Sequence, residues 1–151
     1  MFRGTFEQRI DEKGRINVPV KFRDVLHDLG DDRLFLTNFR VGDARCLEAR
    51  PYAEWLKLEA RIADLASISA PAKAFFDNFY LPGAQECAVD KQGRLLVPPV
   101  LRDYAALAKE VVFTGAGLKF RVWDKNKWEP VRLAGEQVSV SDPGVLTELG
   151  L

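Results

Sequence analysis

Two stretches of the chain place an acid four positions ahead of an arginine with a glycine between them: "DEKGR", Asp11–Arg15, and "DKQGR", Asp90–Arg94. Aspartate supports a tight turn through its own carboxylate, and Gly14 and Gly93 supply the positive φ that a bulged hairpin demands. In such a turn Asp11 ends the outgoing arm and Arg15 opens the returning one, so their side chains meet. The carboxylate then orients the guanidinium and leaves part of its five-donor fork free for phosphate oxygens or for guanine O6 and N7. Asp90 and Arg94 repeat the arrangement. Lys13 and Lys91 add positive charge near the turn tips. An exposed Asp–Arg pair also reads as ordinary surface chemistry, worth about 0–1 kcal/mol. The contact reading gains from the duplication, which kept the arginine although turn geometry asks only for glycine. Arg3 and Arg9 flank the first turn as candidate phosphate contacts, and a solvated strand face explains each of them as simply.

Other chemistry is hard to assemble. The single histidine, His27 in "VLHDLG", sits near the end of a predicted helix, where a cation favours the dipole. Cys46 and Cys87 are far apart, and with one histidine they make no structural zinc site; they read as buried reduced thiols. "TGAG" around Gly115 and Gly117 lacks the Gly-Lys-Ser/Thr of a phosphate loop and reads as a hairpin turn. No catalytic residues, metal ligands, cofactor or small-molecule substrate are expected. Twenty-two basic and 22 acidic residues cancel, which argues against a chain coated in positive potential without excluding a local basic stripe. No apolar run reaches membrane-span length, and "MFRGTFEQRID" lacks the apolar stretch of a signal peptide, so a cytoplasmic location is the expectation.

The elements that position the turns are themselves duplicated. At an offset of 90 − 11 = 79, Ile10–Asp24 and Val89–Asp103 share seven of fifteen residues: Asp11/Asp90, Gly14/Gly93, Arg15/Arg94, Val18/Val97, Pro19/Pro98, Arg23/Arg102 and Asp24/Asp103. "LFLT" and "LEARPYAEW" answer "VVFT" and "FRVWDKNKW" more weakly. Each copy predicts strand, turn, strand, a helix opened by proline, then two further strands. Phe22, Val25, Leu26 and Leu29 form one helical stripe; Leu101, Tyr104, Ala105 and Ala108 form its counterpart. Trp55, Leu58, Ile62 and Leu65 predict a connecting helix, and Phe75, Phe76, Phe79 and Tyr80 a second, aromatic one beyond Pro71. A half of about 75 residues builds only a thin core. The expectation is therefore one pseudo-twofold α+β domain with interleaved strands and a shared core. Its parts are a first half (1–55), a helical connection (56–82), a second half (83–128) and a C-terminal tail (129–151), loosely ordered or used in contacts between subunits.

"MFRG…DEKGR…VP.KFR" followed by "GAQECAVDKQGRLLVPP.LR" closely resembles the MraZ family of bacterial transcriptional regulators, over roughly Met1 to Trp128. The resemblance implies two fused AbrB/SpoVT-like swapped-hairpin modules forming a β-barrel with peripheral helices. It implies a homo-oligomeric ring, with an octamer favoured, and a nucleoid-associated protein whose partner is double-stranded DNA. The DNA-binding motifs it implies are Asp11 with Arg15 and Asp90 with Arg94. Family members resemble repressors of the division and cell-wall gene cluster, bound at repeated promoter sites. Pro130 departs from the family pattern by interrupting the final helix expected after Trp128.

A nearly neutral chain holds DNA if a ring offers the same turns repeatedly to repeated sites, since each contact raises the effective concentration for the next. The other class open to this fold is an antitoxin-like or scaffold module that binds protein, because fold does not fix function. A toxin-binding role calls for a disordered acidic tail, and the residues after Trp128 are short and mildly acidic.

Overall fold

The computed structural model describes residues Met1–Leu151. The first copy contributes β1 (Thr5–Arg9), β2 (Arg15–Asn17), α1 (Val20–Leu29), β3 (Arg33–Val41) and β4 (Ala44–Pro51). The connection is α2 (Tyr52–Asp64) and α3 (Ala70–Phe75), continued by a π-helical turn over Phe76–Tyr80. The second copy contributes β5 (Gln85–Ala88), β6 (Arg94–Leu96), α4 (Pro99–Tyr104), β7 (Glu110–Gly115) and β8 (Phe120–Asp124). It is followed by α5 (Lys125–Ser141) and α6 (Gly144–Glu148).

The arms of each turn part company. β1 leaves its own half to pair antiparallel with β7, and β5 leaves its half to pair with β3. Their continuations, β2 and β6, pair with each other through Arg15↔Leu96, Ile16↔Leu95 and Asn17↔Arg94. The result is a six-stranded antiparallel sheet in the order β1-β7-β8-β4-β3-β5 and a separate two-stranded ribbon. Single bridges, Ile10↔Ile16 and Val89↔Leu95, join ribbon to sheet at two corners, so the α+β fold wraps round its core without one continuous closed ladder.

The cause of the wrapping is alternation. Ile16 and Leu95 are fully buried while their neighbours in the ribbon face out, and burying each such side chain is worth about 1.5–3 kcal/mol. They join one core drawn from both copies: Phe2, Phe22, Leu34 and Leu47 from the first, Val97, Leu101, Phe113 and Phe120 from the second. Phe22 contacts four other aromatic rings, with centroids 5.1–6.2 Å away. On the outer face of the sheet, α2 and the π turn pack Trp55, Leu58, Phe76 and Tyr80 against Phe35 and Phe39. The start of α5 packs Trp128 and Val131 against Trp123, Val112 and Cys46.

Several expectations need correction. Residues 125–141 form one helix rather than a loose tail, and Pro130 lies inside it without ending it. Asp124 caps that helix by accepting from the Asn126 N–H, which offsets part of what Pro130 removes when it leaves the Asn126 carbonyl without its i+4 donor. The helical stripes are also narrower than the spacing suggests. Leu29 and Leu65 are exposed at their helix ends. Ala108 lies beyond α4, which stops at Tyr104; Ala106 turns to φ 52° and Leu107 fills the core instead. No helix is long and apolar enough to cross a membrane.

Candidate nucleic-acid interface

Each turn is built around its aspartate. In the first, the Gly14 N–H donates to the Asp11 carbonyl at 3.0 Å and the Asp11 N–H to the Arg15 carbonyl at 3.0 Å. With Gly14 at φ 88°, this is a bulged hairpin turn. Asp11 Oδ1 accepts from the backbone N–H of Lys13 and of Arg15, both at 2.9 Å. Its Oδ2 accepts from Arg15 Nε at 2.7 Å. The second turn repeats these bonds: Asp90 Oδ1 accepts from Gln92 N and Arg94 N at 2.9 Å, and Oδ2 from Arg94 Nε at 3.1 Å. The backbone N–H of the arginine, foremost, holds each carboxyl below its ordinary range.

Bonding through Nε leaves the far edge of the guanidinium open. Neither Nη of Arg15 has a protein acceptor, whereas Arg94 spends one Nη2 proton on Gln92 Oε1 at 2.9 Å. The two forks stand on one surface. Arg15 and Arg94 both alternate with a buried residue of the ribbon, so both project from its outer face. Arg15 lies opposite Leu96 and Arg94 opposite Asn17, which makes the arginines diagonal neighbours, about 7–8 Å apart at Cα. Lys13 and Lys91 are exposed at the tips, which the antiparallel pairing sets at opposite ends of the ribbon.

The sequence did not announce what braces the turns. Arg102, on α4 of the second copy, donates from Nη1 to the Glu12 carbonyl in the first turn at 3.1 Å. It also lies over Gly14, where a Cβ would come within 3.5 Å of Nη1 and 3.2 Å of the Val97 carbonyl. Arg23, on α1 of the first copy, covers Gly93, and a Cβ there would meet its Cδ and Cζ at 2.9 Å. Backbone bonds cross the same way: Val18 N–H donates to the Gly93 carbonyl at 2.9 Å and Val97 N–H to the Gly14 carbonyl at 2.8 Å. Each turn is thus clamped by the other copy. The signal was present as the repeated pair Arg23/Arg102, but a contact across 90 positions has no local signature.

The flanking arginines divide. Arg9 is exposed two residues before Asp11, opposite Glu110, and lines a surface groove with Lys109 and Lys125. Arg3 is not brought to the turn: the five residues of β1, at about 3.3 Å each, stand between them. Gly115 and Gly117 belong to the β7–β8 hairpin, where Gly117 bridges Phe2, and they form no phosphate cradle. His27 is exposed in the last turn of α1. No group of three or more His, Cys, Asp or Glu side chains is placed to hold a metal ion.

A family model described as "MraZ protein, putative antitoxin-like" matches the chain twice, over residues 1–79 and 80–141. The transcriptional regulator MraZ of Geotalea uraniireducens is 44% identical over 161 residues, with all of both chains covered. That of Geobacter sulfurreducens is 38% identical over 158 residues, again across the full length of both. That of Desulforamulus reducens is 42% identical over 129 residues, covering 85% of each chain.

Proposed function

The chain belongs to the MraZ family, and from that premise we propose that it is a transcriptional regulator reading duplex DNA with its two aspartate-clamped arginines. The observation that carries the reading is the shared geometry of Arg15 and Arg94. Both are oriented through Nε by their own Asp, and both stand on the exposed face of one ribbon. A separation of about 7–8 Å matches roughly two base-pair steps of 3.4 Å. A fork fixed before encounter loses little freedom on binding, and a bidentate arginine–guanine pair discriminates by about 1–3 kcal/mol. Lys13, Lys91 and Arg9 supply phosphate attraction around the forks, while Gly14 and Gly93 set the backbone path. Arg3 has no part in it.

One ribbon is a small footprint, and a chain with no net charge has little non-specific affinity to add. Assembly into a homo-oligomeric ring, of which the octamer is the favoured form, multiplies the ribbons against a promoter carrying repeated sites. Leu133, Val138 and Val140 on α5 and Leu149 just after α6 are exposed and suit contacts between subunits. Repression of the division and cell-wall cluster, with the protein resident on the nucleoid, follows from occupancy of such sites.

The test is a gel shift with duplexes carrying one, two and three copies of the promoter repeat at two salt concentrations. Wild-type protein binds more tightly with each added copy. Arg15→Ala with Arg94→Ala abolishes the shift while gel filtration shows the assembly unchanged. Undiminished binding by that double variant, or a strictly monomeric wild-type protein, overturns the proposal.

A further inference from the structure

The outer face of the sheet, across the core from the DNA-reading ribbon, holds a second polar centre that regulation by the turns leaves unused. Glu48 and Arg121 are directly opposed on β4 and β8, on the pseudo-twofold axis of the fold. Glu48 is 2% exposed. Its Oε1 accepts from the Tyr80 hydroxyl at 2.6 Å and its Oε2 from Arg121 Nε at 2.9 Å. That pair satisfies the carboxylate. Two more cations nevertheless converge on it: Lys119 Nζ at 3.8 Å and Arg50 Nη2 at 3.9 Å, both beyond hydrogen-bond distance.

Neither Lys119 Nζ nor any Arg50 Nη donates to a protein acceptor; Arg50 uses only Nε, to the Tyr80 hydroxyl at 3.2 Å. Both cations are largely buried, with side chains 26% and 13% exposed. Burial pushes the Lys119 ammonium below its ordinary range despite the nearby carboxylate. Together with Glu48 and Tyr80 the two cations line a cavity of about 280 Å³ whose remaining walls are apolar, among them Phe39, Leu58, Ile62, Phe75 and Phe76. Three cations share this one carboxylate, and positive charge held out of water in excess of its counter-ion is costly unless an anion completes it. Apolar walls with a few converging polar groups are the make-up of a ligand pocket.

We propose that this cavity binds a small amphipathic anion, its carboxylate or phosphate head between Lys119 and Arg50 and its apolar body against Phe39, Phe75 and Phe76. At about 30 Å³ per water volume the space holds a body of roughly eight to ten non-hydrogen atoms. The bound head replaces the missing acceptors of Lys119 Nζ and Arg50 Nη2, and the apolar body displaces water from aromatic surface.

Calorimetric titration of the full-length protein with octanoate, octyl phosphate and octan-1-ol tests this. At least one anion binds about tenfold or more tightly than the alcohol, the worth of one charge-assisted hydrogen bond, and the tighter of the two identifies the head group. Lys119→Gln brings that anion close to the alcohol's affinity, and Lys119→Arg restores most of it. The Lys119 nitrogen makes no hydrogen bond in the free protein, so circular dichroism of Lys119→Gln matches wild type. Equal affinity for alcohol and anions overturns the proposal. So does undiminished anion binding by Lys119→Gln, or no heat with any probe, as a neighbouring copy covering the cavity would produce.

Discussion

Replacing Gly93 by alanine tests the cross-copy clamp directly. Gly93 sits at φ 78°, where an L side chain costs about 1–2 kcal/mol. The added methyl also runs into Arg23, whose Cδ and Cζ lie 2.9 Å from the Cβ position. Because Cδ belongs to the stem of the side chain rather than its tip, relieving this contact moves the whole guanidinium off Gly93. Overpacking of this kind adds about 1–3 kcal/mol, giving roughly 2–5 kcal/mol in all. Gly14→Ala carries the same backbone strain at φ 88°, but its nearest atom is the Val97 carbonyl at 3.2 Å, a contact relieved by tenths of an ångström. About 1–2 kcal/mol is expected there. The assay is a double-mutant cycle in urea at fixed protein concentration, with Arg23→Ala as the second change. Without Arg23, Gly93→Ala falls to the backbone term of about 1–2 kcal/mol. An equal cost for Gly93→Ala in both backgrounds would show that α1 does not clamp the second turn.

Arg102→Ala removes the donor to the Glu12 carbonyl and speeds amide exchange at Lys13 and Gly14 while the second turn stays protected; equal exchange at both turns contradicts the clamp. The carboxyls of Asp11 and Asp90 lie below their ordinary value of 3.8. Their stabilising contribution is therefore fully present above that value and is lost only as pH falls through the still lower folded-state pKa. The Nε–H resonances of Arg15 and Arg94 should accordingly hold steady from pH 8 to 5, and a midpoint inside that range would refute the assignment. Burial pushes the Cys46 thiol up to about 12 and the Cys87 thiol up to about 11. Both should resist iodoacetamide at pH 8 in the native protein and react in urea, as mass spectrometry would show. Pro130→Ala returns an N–H to the interior of α5 and relieves the ring's clash, so helicity and thermal midpoint rise, by up to about 3 kcal/mol at that site.

What the sequence disclosed was local chemistry repeated. Asp11–Arg15 and Asp90–Arg94 carry their turn conformation in their own residues, and the structure adds only the bonds. The exchange of β1 and β5 between copies was legible by a different route, because half a chain lacks enough apolar residues for a core of its own. Contacts that join distant positions were not legible. Nothing near Arg102 indicates Glu12, and nothing near Glu48 indicates Arg121. The helical order of the tail is illegible because its apolar residues, Leu133, Val138 and Val140, follow no buried face: α5 packs only through its first turns, so periodicity carries no signal for the rest. The exposure of Leu29 and Leu65 is illegible for a related reason, since a helical stripe does not reveal where its partner surface ends.

The facing of Glu48 and Arg121 has a consequence for why one polypeptide carries both copies. Were two identical separate halves to associate in this way, whichever residue occupied that place would confront its own twin across the axis, and like charges directly opposite repel. Tethering the copies in a single gene product lets the twins differ. An acid on one side and a base on the other turn a point where any charge would meet its like into an attraction, and the pairing of the correct halves is written into the chain.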